Sequence, residues 1–141
     1  LGLPRARSSQ RRLRERAGEL VQWVGLERRA HDLAGSLSYG EQRLVGVALA
    51  LAAEPSMLLL DEPVSGMNAS ETHTFVQLVR NIRDRGVTIL LVEHDMPMVM
   101  SVSDRIVVLN YGRIIAEGTP DLIRNDPAVI EAYLGQGASR A

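Results

Sequence analysis

Two short apolar runs end in acids: Met57-Leu58-Leu59-Leu60 leads into Asp61-Glu62-Pro63, and Val87-Thr88-Ile89-Leu90-Leu91-Val92 leads into Glu93-His94-Asp95. A strand with one wet face alternates apolar and polar residues. An unbroken apolar run predicts a strand covered on both faces of a parallel sheet. Parallel neighbours need a crossover between them. Ala69 to Arg85 supplies one, with Phe75, Leu78, Val79 and Ile82 on one side of a helix and Gly86 to stop it. Strand, helix, strand in this order makes the chain α/β with a parallel core.

The flanking segments agree with this. Leu13, Ala17, Leu20, Val21 and Val24 form one apolar stripe and predict a helix over 10–24, ended by Gly25. Ser38 to Ala53 reads as a helix, because Ser38 and Glu41 have capping-box spacing and Pro55 follows its end. Met96 to Val102 reads as a short helix with Pro97 in its first turn. Strands are predicted over 105–110 and 113–116, joined by a turn at Tyr111-Gly112, and short helices over 120–125 and 128–134. The chain has no internal repeat and no low-complexity tract.

Composition removes several kinds of chemistry. There is no cysteine, so disulfides, thiolate metal sites and cysteine nucleophiles are excluded. The longest apolar run, Leu44 to Ala53, is far short of the ~20 residues of a membrane span. Six of the first sixteen residues are arginine, yet the net charge is -1 and no aromatics are interleaved. The arginines therefore read as a solvated helix face, and nucleic acid is not an expected partner. All sixteen basic residues are arginine. Without lysine there can be no phosphate loop of the G-x-x-x-x-G-K-[ST] kind, whose lysine reaches the β- and γ-phosphates.

Three sites can carry chemistry. Asp61 and Glu62 end an apolar strand, so they fall at the carboxyl edge of the sheet, where α/β folds bind ligands. Asp61 is placed to hold Mg²⁺, directly or through water, and Glu62 to polarise a water for attack on a γ-phosphate. The plainer alternative is a strand-end turn. His94 follows its strand in the same way and could bond a γ-phosphate oxygen and the attacking water; a structural histidine is the alternative. His31-Asp32 and His94-Asp95 also spell the pair used by metal phosphohydrolases, but that site is built on helices and His94 ends a strand. Ser38 and Gly40 open a helix whose free N–H groups and dipole attract anions, unless the segment is only a cap.

In this order and spacing the three resemble the nucleotide-binding subunit of an ATP-binding cassette (ABC) transporter. Ser38-Tyr39-Gly40-Glu41-Gln42 is similar to its signature motif, Leu58-Leu59-Leu60-Asp61-Glu62 to its Walker B strand, and His94 to its switch histidine. Ser65-Gly66-Met67-Asn68 stands in the place of the D-loop, which in the family meets the opposite subunit. The stretch from Asp61 to Asn68, then Glu71-Thr72 and Glu93-His94-Asp95-Met96, resembles the subunit serving branched-chain amino acid uptake. So do Val108 to Arg113, Glu117 to Pro120, and Ile130 to Gly135; Ala69 departs from the proline of many relatives.

The resemblance implies the later part of a P-loop NTPase (RecA-like) domain. Residues 1–36 would belong to the helical subdomain, with 1–9 flexible. Residues 37–118 would form the signature helix and catalytic core, and 119–141 a helical tail. The cofactors implied are ATP and Mg²⁺. The partners implied are a second nucleotide-binding subunit and transmembrane permease subunits, at the cytoplasmic face of the plasma membrane. Glu62 and His94 would be catalytic, Asp61 would hold Mg²⁺, residues 38–42 would touch the partner's nucleotide, and residues 65–68 would meet the partner. The expectation is a segment of an import ATPase, inactive without a phosphate loop, whose strands expose apolar edges. Two alternatives stand beside it. One is a non-catalytic module that docks on an intact subunit. The other is a chromosome-maintenance or repair ATPase, against which the absence of sustained heptads argues.

Overall fold

A computed structural model describes the backbone of residues 4–134 and the side chains of residues 8–133. The side chains of Arg5 and Arg7, Leu1 to Leu3, the tail match at Gly135 and the rest of the expected tail to Ala141 lie outside the described residues. The chain divides after Val92 into two compact units. The division falls inside the 37–118 stretch expected as one core.

In the first unit the helices are α1 (Pro4–Trp23), α2 (Tyr39–Leu51) and α3 (Ala69–Asp84), and the strands are β1 (Met57–Asp61) and β2 (Thr88–Val92). Single 3₁₀ turns at Glu27–Arg29 and Ala34–Ser36 lead from α1 to α2. Helix α1 begins six residues before the apolar stripe predicts and takes in most of the stretch expected to be flexible. Proline is tolerated in a first turn, and the arginines and glutamines that follow are strong helix formers. Arg11 pairs with Glu15 at 2.8 Å and Arg16 with Glu19 at 3.1 Å, the spacings that support an exposed helix. Only the last part of the stripe is buried: Leu20 and Val24 are inside, whereas Leu13 is 70% exposed.

Strands β1 and β2 pair in parallel, Leu58 opposite Ile89 and Asp61 opposite Val92, with α3 as the crossover. Phe75, Val76, Leu78, Val79 and Ile82 of α3 are buried. At its end the Arg85 guanidinium stacks 4.1 Å from the Trp23 ring centroid, tying the end of α1 to the end of α3. Gly86 takes the left-handed φ of +88° that closes the helix.

The sheet departs from expectation on one face. Leu58 is buried, but Met57, Leu59, Leu90 and Val92 are 50–67% exposed. These four alternate with the covered positions and share one side, because side chains alternate along a strand. The unbroken apolar run does signal a two-sided strand, but among the described residues only one side is covered.

The second unit holds α4 (Met96–Val102), the antiparallel hairpin β3 (Ile106–Asn110) and β4 (Arg113–Gly118), then α5 (Pro120–Arg124), α6 (Pro127–Val129) and a π turn over Ile130–Leu134. Tyr111 and Gly112 both have positive φ, +47° and +74°, as a two-residue hairpin turn requires. Ile106, Val108, Ile123 and Val129 form its core, with Met96, Val99 and Met100 against them.

The burial pattern separates two kinds of apolar residue. Ile82 is fully buried, so Ile82→Ala should cost about 2–5 kcal/mol in urea unfolding. Leu59→Asn with Leu90→Asn should leave stability within about 1 kcal/mol and reduce concentration-dependent association in sedimentation velocity. Equal association of the variant and the parent would remove the sheet face as its cause.

Candidate functional site

The start of α2 is built by a reciprocal cap. Ser38 is the N-cap; its Oγ accepts from the Glu41 N–H at 3.2 Å, and its own N–H donates to the Glu41 carboxylate at 2.7 Å. This is the cap that the Ser38–Glu41 spacing predicts. Glu41 also lies 3.2 Å from the Arg29 guanidinium, which pairs with Asp32 at 2.9 Å. Gln42 Nε2 donates to the Leu37 carbonyl at 3.1 Å. Tyr39 is half exposed; its hydroxyl accepts from Arg43 Nε at 3.1 Å, and the Arg43 guanidinium lies 5.0 Å from the ring centroid.

A second cap of the same design starts α3. The Asn68 side chain accepts from the Ser70 and Glu71 N–H groups, each at 3.0 Å, and the Asn68 N–H donates to Glu71 Oε2 at 3.0 Å. The two caps meet. Ser38 Oγ donates to Glu71 Oε1 at 3.0 Å, so one carboxylate serves both helix starts. Gly40 is buried against it: a Cβ there would lie 2.8 Å from Glu71 Cδ and Oε1. Gly66 has a φ of +78°, and a Cβ on it would lie 3.3 Å from the Tyr39 ring. The segment 38–42 and the loop 65–68 are thus packed together, and a groove of about 310 Å³ lies beside them, lined in part by Leu26, Leu44, Met67 and Thr74.

Asp61 and Glu62 stand exposed at the carboxyl edge of the parallel pair. The Glu62 N–H donates to the Val92 carbonyl at 2.9 Å, carrying the ladder one residue past β1. Glu62 itself has a φ of +43°. A side chain in this region costs about 1–3 kcal/mol and persists only where its surroundings enforce it, a recurrent mark of functional sites. The enforcement is visible in the following turn, where Pro63 and Val64 are buried and Ser65 N–H donates to the Glu62 carbonyl at 3.2 Å. Among the described residues no three His, Asp or Glu side chains converge. The exposed Asp61 carboxylate fits Mg²⁺, which keeps most of its ligands as water and phosphate oxygens and takes only one or two carboxylates from protein.

His94 follows Glu93, the first residue of the second unit. Its imidazole is 71% exposed, with Nδ1 3.8 Å from Glu93 Oε2. The Glu93 side chain is only 1% exposed and accepts from the N–H groups of His94 at 3.0 Å and Asp95 at 3.4 Å. Asp95 caps α4 by accepting from Met98 N–H at 2.9 Å.

Glu71 is the residue that sequence reasoning leaves without a role. The spacing Asn68-x-x-Glu71 repeats that of Ser38-x-x-Glu41 and could have shown the second cap. No local pattern shows its bond to Ser38, 33 residues away.

The glycines allow a test of opposite signs. Gly66→Ala should destabilise by about 1–2 kcal/mol, since it places a Cβ in the left-handed region and against Tyr39. Gly18→Ala, in an exposed helix with nothing within 4 Å, should stabilise by about 0.5–1 kcal/mol. Urea midpoints measure both; equal shifts would deny that Gly66 is held by its backbone. In the same assay Asn68→Ala should cost about 1 kcal/mol through the lost cap.

The chain is similar to known proteins along most of its length. A family model described as ABC transporter matches residues 3–65, and one described as branched-chain amino acid ATP-binding cassette transporter matches residues 113–139. The chain is 45% identical over 134 residues to the high-affinity branched-chain amino acid transport ATP-binding protein BraF of Pseudomonas aeruginosa, a match covering 94% of this chain and 52% of BraF. It is 43% identical over 137 residues to the corresponding protein LivG of Escherichia coli, covering 96% of this chain and 54% of LivG. The chain therefore spans about half the length of the curated relatives it matches. Among solved structures, the ADP conformation of MJ1267, an ATP-binding cassette of an ABC transporter, aligns with a TM-score of 0.77 at 32% identity, over 86% of this chain and 49% of that one.

Proposed function

We propose that this chain, homologous over more than nine-tenths of its length to ATP-binding subunits of branched-chain amino acid ABC transporters, provides the signature, Walker B, D-loop and switch elements of such a subunit. The observation that carries the reading is the ordered set Ser38 to Gln42, Asp61-Glu62, Ser65 to Asn68 and His94, within a match that covers more than nine-tenths of the chain. The process served is import of branched-chain amino acids or related solutes.

In this reading Ser38 and the N–H groups at the start of α2 bind the nucleotide held by a second ATP-binding subunit, and residues 39–42 shape that surface. The loop 65–68 touches the same partner. Asp61 holds Mg²⁺, directly or through water, and the metal supplies charge neutralisation on the phosphates. Glu62 orients the attacking water and accepts its proton. His94, exposed at the start of the second unit, donates to a γ-phosphate oxygen. The permease subunits hold the assembly at the cytoplasmic face of the membrane. Among the described residues no helix is long and apolar enough to cross a membrane, which is consistent with a peripheral subunit. The domain roles follow the same order: 1–36 in the helical subdomain, 37–118 for signature helix and core, 119–141 as the tail.

The 141 residues contain no lysine, so the phosphate loop of such a site lies outside them. A second reading, a docking module that engages an intact subunit without turnover, rests on the paired surfaces 38–42 and 65–68. One experiment separates the two. The 141-residue chain alone should hydrolyse no ATP above background. Joined to the phosphate-loop half of LivG it should turn over, and Glu62→Gln should lower kcat by about 10²–10⁴-fold. Hydrolysis indifferent to Glu62→Gln would overturn the catalytic assignment. A joined protein that binds ATP without turning it over would leave the docking module.

A further inference from the structure

The carboxylate of Glu71 divides its two oxygens between two helices. Oε2 takes the Asn68 N–H and completes the cap of α3, while Oε1 lies 3.0 Å from Ser38 Oγ. A carboxylate can only accept, so the proton in the second bond is the serine's. Ser38 Oγ has one proton to give, and one of its two lone pairs already serves the Glu41 N–H. We propose that Glu71 is a positioning residue for the signature serine: it holds the Ser38 hydroxyl proton and fastens the start of α2 to the start of α3, so that residues 38–42 and the loop 65–68 move as one piece.

Three observations support the tie. Both bonds are to a charged acceptor, the stronger class of hydrogen bond. Gly40 leaves the space that the carboxylate fills, since a Cβ there would come within 2.8 Å of it. Tyr39, the next residue after Ser38, closes the same contact from the other side by lying over Gly66. A consequence follows for ligand binding, and it rests on the nucleotide reading of Ser38 given above. A phosphate oxygen that binds this serine must take the proton from Glu71. Binding therefore releases one anchor of the loop 65–68, which links nucleotide contact to loop mobility.

Hydrogen–deuterium exchange read by mass spectrometry on the 141-residue chain tests the tie. Ser38→Ala should raise exchange over 67–71 by about threefold or more, and Glu71→Ala should do the same over 38–42, with 75–82 unchanged. Ser38→Thr, which keeps the hydroxyl, should restore the parent rate. Parent-like exchange over 67–71 in Ser38→Ala, or fast exchange in Ser38→Thr, would overturn the tie. The second step is read by Mg²⁺-ATP-dependent association with intact LivG. Glu71→Gln keeps the shape but needs no proton from Ser38, so half-maximal association should need about tenfold less ATP. A residue that only supports the fold would shift it the other way or not at all, and that result would overturn the proton competition. If the unsubstituted chain shows no ATP-dependent association, the nucleotide reading fails and takes this step with it, while the exchange rates still decide the tie.

Discussion

Two helix starts brought close together are an electrostatic problem. Each presents free N–H groups and the positive end of a dipole. The starts of α2 and α3 are close in this way, and the Glu71 carboxylate joins them, bonded to Ser38 of one and Asn68 of the other. Much of the first unit's special geometry follows from this contact. Gly40 has no side chain because the carboxylate occupies the space. Ser38 is fixed as donor rather than acceptor toward α3. The loop between β1 and α3 is short and turned back on itself, with Gly66 in a left-handed conformation beneath the Tyr39 ring.

The same loop accounts for the conformation of Glu62. Strand β1 must end at Asp61 and the chain must reach the Asn68 cap within seven residues. The turn is made at Glu62 itself, with Pro63 and Val64 buried behind it and Met67 N–H donating to the Val64 carbonyl at 3.0 Å. The left-handed φ of Glu62 is thus the cost of a tight connection between a sheet edge and a capped helix. A glycine would relieve the strain and remove the carboxylate.

What the sequence made legible follows from the range of each interaction. Ser38 with Glu41, the stop at Gly86, the hairpin turn at Tyr111-Gly112 and the two apolar strands are settled within a few residues, and pattern reading finds them. The bond from Ser38 to Glu71 joins positions 33 apart and has no local signature. The open face of the sheet has no local signature either. Leu59 and Leu90 have the composition of buried strand residues, and composition records what a strand suits rather than what lies over it. The early start of α1 lies outside what an apolar stripe can signal, because an exposed arginine-rich turn has none; its support comes from ion pairs and propensity.

The charge of the site bears on the assembly that the proposed function calls for. Asp61 and Glu62 put two acids at the sheet edge, and like charges repel a polyphosphate that comes close to them. The nearest cations of the signature segment are already engaged: Arg29 with Asp32 and Glu41, and Arg43 with the Tyr39 ring and hydroxyl. The attraction that α2 can offer comes from its N–H groups and the Ser38 hydroxyl, and that hydroxyl is held by Glu71. Under the proposed reading, a phosphate would reach the edge acids only with a cation between them, whether Mg²⁺ or the lysine of a phosphate loop. Occupancy of the whole site would then be the condition for chemistry by Glu62.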